Sequence, residues 1–305
     1  MESEQALLIC VLNTRTPLMC RGVSKDLRNA SDYYRKSLKL RSALNDLASL
    51  KSLLTRNLVN LNLMGTKVSD LSLVTKCSGL TDINLWRTKV TDLSPLGNCP
   101  VLNTLNLVCT KVIDLSALTK CTALTYLDLL GTAVTDLSPL RNCTRLNTLN
   151  LMGTKVTDLS PLRNCTGLTN LNLWNTKMVD LSPLRNCTAL TILDLWNTKV
   201  TDLSPLTNCT SLIILSLGGT GVSDLTALAN CTALRDLNLG GTNVSDLSPL
   251  HNCIGLINLN LMVTKVADLS PLRNCHELVN LNLVNTSAID LSPLDNCAKL
   301  NNLRL

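Results

Sequence analysis

Phenylalanine is absent from all 305 residues, and Trp, Tyr and His are scarce, at three, three and two copies. Wide globular cores are filled with aromatic rings. A chain that is 45% hydrophobic and only 2% aromatic points instead to many narrow, similar layers of aliphatic side chains. Two His leave little material for imidazole catalysis, and no C-x-x-C pair occurs, the spacing that zinc ligands within one loop usually have. No run of 18 apolar residues exists, so no membrane-spanning helix is expected. The formal charge of +6 permits an acidic partner without demanding one. The apolar stretch "ALLICVL" (Ala6 to Leu12) follows Glu2 and Glu4 rather than a basic segment, so it reads as a helix and not as a signal peptide.

What is present is a repeat. "TDLSPLRNC" at Thr157 to Cys165 returns 22 residues later as "VDLSPLRNC" at Val179 to Cys187. Leu58, Leu80, Leu102 and nine further leucines up to Leu300 open successive copies at a constant step of 22. Each copy reads L-x-x-L-x-L-x-x-T-x-V-x-D-L-S-P-L-x-N-C-x-x, with Thr at place nine and Asp at place thirteen in all eleven full copies. Below, places count from the leading Leu, and coil one begins at Leu58. "L-x-L" alternates like a short strand with Leu inward. "D-L-S-P-L" predicts a helical turn, with Asp capping its start and Pro tolerated in the first turn. The Asn two residues after the last Leu is expected to take the left-handed conformation that ends the turn. Identical strands spaced so regularly stack as a parallel sheet, and twelve at about 4.8 Å span on the order of 55 Å. One coil leaves both flat sides open, so several are needed for stability.

These copies resemble the leucine-rich repeat family. "LTNLNLWNTKMVDLSPLRNCTG" is similar to the 22-residue internalin-like class, which has Asn at place nine and Leu at place twenty where this chain has Thr and Cys. The cysteine variant also resembles leucine-rich proteins of trypanosomatid type. The resemblance implies an α/β fold: a right-handed leucine-rich repeat solenoid with a concave parallel sheet of about 12–13 short strands and convex helical turns. It further implies a protein that binds other proteins on its concave side.

Cysteine closes the helical segment of every copy, from Cys77 to Cys297. Equivalent side chains of stacked coils point in parallel, so their Cβ atoms stay near 5 Å apart, beyond the ~3.5–4.5 Å of a disulfide. Neither metal nor cofactor is expected. The reading left is a reduced, buried thiol acting as a small hydrophobe, which suits a reducing compartment. The sequons that the repeat creates, such as Asn142-Cys143-Thr144, also favour a cytoplasmic location, since glycans there would threaten the fold.

The remaining places are the surface. Place five is Asn in eight copies, from Asn62 to Asn282, and Asp at Asp128 and Asp194, which predicts a polar ribbon on the concave side. Place seven varies, and all three Trp fall there: Trp86, Trp174 and Trp196, with Met152 one coil before the last two. Tyr126 faces the same side from its strand. These side chains either fold onto the coil edge as extra packing or form a binding hot spot. Place ten carries Lys67, Lys89, Lys111, Lys155, Lys177, Lys199 and Lys265. That line is either a solvated rim or, near the Trp pair, a contact for an acidic protein segment. The candidate partner-binding residues are therefore Trp86, Tyr126, Met152, Lys155, Trp174, Lys177, Trp196 and Lys199. Nucleic acid is disfavoured, because dense Arg and regular aromatic interleaving are missing. His251 and His276 have no repeated acid–base partner, and "GGTGVSD" (Gly218 to Asp224) lacks the Lys-Ser/Thr ending of a phosphate loop. No catalytic residue is assigned.

The chain divides into a helical N-terminal cap (1–35), a degenerate first coil (36–57) and regular repeats (58–305). "LKL" followed by "NDLASL" reads as a coil about two residues short. The segment from "ALLICVL" to "LMCRGVSKDLRNA" resembles an F-box, although it lacks the leading Leu-Pro pair and the Trp after "VS". That resemblance implies a substrate receptor of a ubiquitin ligase, touching the ligase core through Leu7, Leu8, Ile9 and Leu18. At the other end, "NNLRL" reads as an unpaired strand open to self-association. The expected function is non-enzymatic protein binding, as a cytoplasmic scaffold using the concave face of coils five to seven. The alternatives are the ligase receptor and, by family analogy, a regulatory subunit of a phosphatase or cyclase.

Overall fold

The computed structural model describes residues 37–39, 46–48, 51 and 53–305. The helical cap at 1–35 and the F-box-like residues Leu7, Leu8, Ile9 and Leu18 lie outside the described residues. Among the described residues, thirteen three-residue strands form one parallel sheet in chain order, a right-handed solenoid. They are β1 (Ser37–Lys39), β2 (Asn60–Asn62), β3 (Asp82–Asn84), β4 (Thr104–Asn106), β5 (Tyr126–Asp128), β6 (Thr148–Asn150) and β7 (Asn170–Asn172). Then come β8 (Ile192–Asp194), β9 (Ile214–Ser216), β10 (Asp236–Asn238), β11 (Asn258–Asn260), β12 (Asn280–Asn282) and β13 (Asn302–Arg304). From β2 onward each residue pairs with the one 22 positions later, as Leu171 with Leu193. Leu38 pairs with Leu61, a step of 23, so the first coil is one residue longer than the rest rather than two shorter.

Opposite the sheet, each coil carries a 3-10 turn, such as Ser160–Leu162 or Ser182–Asn186. Three residues per turn sets which side chains point inward. In coil five, Leu162 N–H donates to Leu159, Cys165 to Leu162 and Leu168 to Cys165, at 2.8, 2.8 and 3.0 Å. Those four residues fall on one face, and all are buried. Cysteine is inward because it occupies the third step of a period-three run. The turn is started by the place-thirteen Asp. Asp158 Oδ1 accepts the Ser160 N–H at 2.7 Å and Oδ2 accepts its hydroxyl at 2.8 Å. The backbone bond recurs in all eleven coils. Pro sits within this first stretch, where its missing N–H costs nothing.

Place nine is inward as well. Thr176 is buried, and its hydroxyl donates to the Leu173 carbonyl at 2.7 Å, as its equivalents do in the other coils. Among the described residues, no buried side-chain nitrogen or oxygen lacks a partner.

The left-handed residue is not the Asn expected. Asn186 lies inside a 3-10 turn, and no place-nineteen Asn has positive φ. Positive φ, from +54° to +72°, belongs to place eight in all eleven coils. The reversal follows the strand because the chain must turn sharply there. The place-eight N–H is also held by the next coil, as Asn175 N–H by the Trp196 carbonyl at 2.8 Å.

Candidate functional site

The outward side chains of the sheet and the place-seven column form the concave surface. Place-five Asn is less available there than a solvated ribbon would be. Asn172 Oδ1 accepts the Trp174 N–H at 2.9 Å, and Asp194 Oδ1 accepts the Trp196 N–H at 3.0 Å. Ten of the eleven coils repeat this bond, which holds the strand's exit toward place seven. The exception is Ser216.

Trp174 and Trp196 are brought together. Their rings stack with centroids 5.4 Å apart and planes 15° from parallel, and they remain 37% and 42% exposed. Such a pair is worth about 0.5–1.5 kcal/mol beyond area burial. Beside them, Asn197 Nδ2 donates to Asn175 Oδ1 at 2.7 Å. Met152 lies one coil earlier and is half-buried, its carbonyl held by Gly131 N–H at 3.0 Å. Trp86 stands four coils from Trp174, roughly 19 Å along the sheet, and its ring lies 5.4 Å from the Arg87 guanidinium. The Tyr126 hydroxyl donates to Asp128 Oδ2 at 3.2 Å, and burial, then the neighbouring Asp128 charge, pushes the phenol up. Trp86 and Tyr126 therefore do not join the pair. Lys155, Lys177 and Lys199 are exposed on the flank beyond the place-eight turn.

From the Trp pair a groove of about 490 Å³ runs toward β13, lined by Trp174, Trp196, Asp194, Ile214, Asp236 and Arg304 together with the Asn side chains of β10 to β13. None of the lysines lines it. Ser216 lines it as well, and sequence reasoning passed over both that residue and the loss of bulk at place seven. After Trp196, place seven falls to Gly218 and Gly240 before returning to Met262. A Cβ at Gly240 would come within 2.9 Å of Asn260 Nδ2, so a side chain there would have to displace the Asn260 amide. The legible signal was that loss of bulk, together with Ser216 at place five.

The cysteine column is a ladder of thiols. Cys165 Sγ donates to the Cys143 carbonyl at 3.5 Å, and Cys187 Sγ to the Cys165 carbonyl at 3.6 Å. The same rung joins nine successive coil pairs. None of these cysteines is in a disulfide. Burial pushes the Cys165 thiol up to about 12 and Cys187 to about 11, so both are neutral at physiological pH. Thiolate is the reactive form, and these thiols are therefore inert. Among the described residues no group of His, Cys, Asp or Glu is placed to hold a metal, and no helix is long and apolar enough to cross a membrane.

Two stretches, 122–164 and 166–208, match the family model described as "Leucine Rich repeats (2 copies)". An internalin, InlF, from Listeria monocytogenes is similar over 90% of this chain and 82% of its own, at 30% identity and a TM-score of 0.83. The chain belongs to the leucine-rich repeat family. Two further solved structures share this leucine-rich repeat fold. The functional domain of Listeria monocytogenes InlJ, described as including a cysteine ladder, is 19% identical over 82% of this chain and 63% of its own, with a TM-score of 0.64. The plant peptide hormone receptor RGFR1, in complex with RGF2, is 17% identical over 88% of this chain and 50% of its own, with a TM-score of 0.70. A search of curated proteins by sequence gives no match.

Proposed function

We propose that this leucine-rich repeat chain is a non-enzymatic scaffold that binds a partner protein on its concave face, around coils five to seven. The observation that carries this reading is the stacked Trp174–Trp196 pair, about two-fifths exposed at the head of an open groove. Large rings left in water beside a groove are the usual anchors of an interface. RGFR1, with the same fold, is found holding a ligand. The lysines Lys155, Lys177 and Lys199 on the flank supply positive charge for an acidic segment of that partner. Eleven buried, unpaired cysteines favour a cytoplasmic, reducing location.

The test is affinity capture with the full chain and with Trp174→Ala/Trp196→Ala, after matched melting curves show that both are folded. Loss of the captured partner in the double variant is expected, and equal capture would overturn the site. The identity of the captured protein also separates the alternatives: ligase core subunits, a phosphatase or cyclase, or neither.

A further inference from the structure

The outward places of the sheet are poor in positive charge. From β2 to β12 they carry four carboxylates, Asp82, Asp128, Asp194 and Asp236, and no Lys or Arg, in a chain of net charge +6. The cations of the sheet stand at its two ends, Lys39 in β1 and Arg304 in β13, and Arg304 lines the end of the groove away from the Trp pair. Asp128 is buried under the Tyr126 hydroxyl. Asp194 and Asp236 line the groove that begins at the Trp pair. Asp194 uses Oδ1 on the Trp196 N–H, and Oδ2 has no hydrogen-bond partner among the described residues. Asp236 takes the Asn258 amide on Oδ1 and leaves its own Oδ2 in the same state.

The chain itself shows what complements a place-seven Trp. Arg87, at place eight, sets its guanidinium over the Trp86 ring at 5.4 Å, an attraction between a cation and the negative face of an aromatic ring. In coils six and seven place eight is Asn175 and Asn197, which bond to each other, so the Trp174 and Trp196 rings stack without a cation of their own. The exposed rings line the same groove as Asp194, which has no ion-pair partner among the described residues. We infer that the groove receives a basic side chain of the partner, a guanidinium or ammonium group resting on the Trp174–Trp196 pair and reaching Asp194, with Asp236 taking a second positive charge further along. This rests on the concave-face reading and names the chemistry of its ligand. An acidic stretch of the same partner is repelled by Asp194 and Asp236 and is confined to the lysine flank.

The repeat supplies its own control substitutions. Asn already stands at the place of Asp194 in eight coils, and Asn60, Asn170, Asn258 and Asn280 stand at the place of Asp236. Asp194→Asn and Asp236→Asn therefore remove the charge and keep an oxygen for the existing hydrogen bonds. The measurement is calorimetric titration of the full chain with a short capped peptide of alternating Gly and Arg, and with the same peptide carrying Glu for Arg. The Arg peptide is expected to bind saturably and to weaken with added salt. Its affinity should fall about fivefold in each Asp→Asn variant, the scale of a solvent-exposed charge pair, and be lost in Trp174→Ala/Trp196→Ala. Absence of Arg-peptide binding, or undiminished affinity in Asp194→Asn, overturns the inference. Binding of the Glu peptide alone, abolished by the Trp double variant, sinks the basic ligand and leaves the concave-face reading standing. Failure of both peptides removes the basic ligand too, and the partner-capture result then decides the concave-face reading separately.

Discussion

Val263 occupies the left-handed place-eight position, at φ +56°, where five other coils have Gly and three have Asn. A β-branched side chain at positive φ is a steric outlier. Its N–H donates to the Val284 carbonyl at 2.8 Å, so the residue cannot relax to negative φ without breaking a bond between coils. Half of the side chain is exposed, so truncation loses only part of a Val burial. Val263→Ala and Val263→Gly lose nearly the same contacts. They differ in the Cβ, which at left-handed φ costs roughly 1–2 kcal/mol. Against that stands the extra chain entropy that Gly loses on folding, about 0.5–1 kcal/mol. Val263→Gly should therefore be more stable than Val263→Ala by about 1 kcal/mol, the reverse of the order in an ordinary strand or helix. Urea unfolding followed by circular dichroism measures it. An Ala variant equal to or more stable than the Gly variant would refute the left-handed assignment of place eight.

Cys165→Ser puts a hydroxyl into a fully buried apolar column and should cost about 1–3 kcal/mol; a midpoint of unfolding matching the parent would count against burial. The thiols also give the fold an alkaline limit. Burial raises them from an ordinary 9.0 to about 11 or 12, so the folded state holds its thiol protons more tightly than the unfolded chain. Their stabilisation is complete below about pH 9 and is lost as pH rises toward 11 to 12; a denaturation midpoint flat between pH 9 and 11 would contradict it. Asp158→Ala removes the acceptor of both Ser160 bonds and should cost about 1 kcal/mol, as loss of a cap does, with Asp158→Asn keeping most of it; equal melting of the parent and the Ala variant would remove the cap's role.

The period of 22 made most of the architecture readable. Once Leu61 and Ile83 are taken as stacked, Cys77 and Cys99 must form a column, and the structure places that column in the core. Place eight was not readable, because Arg87, Cys109 and Val263 sit there beside Gly and Asn and hide a conformational demand behind mixed residues. Asn at place nineteen misled for the opposite reason: it is common at left-handed positions, yet here a run of 3-10 turns carries the chain through without one. The surface was half legible. All three Trp were placed on one column, but the stacking of two of them depends on ring orientations that no spacing encodes. The groove was missed because much of its lining, Ser216 and the Asn side chains of β10 to β13, is inconspicuous in the sequence.

Hydrogen–deuterium exchange of the full chain, alone and with its captured partner, tests the binding surface most directly. Slowed exchange at 170–175, 192–197 and 214–219, with unchanged exchange in the convex turn Ser182–Asn186, is the expected result. Protection confined to the convex turns, with the Trp174 and Trp196 segments unaffected, would contradict it.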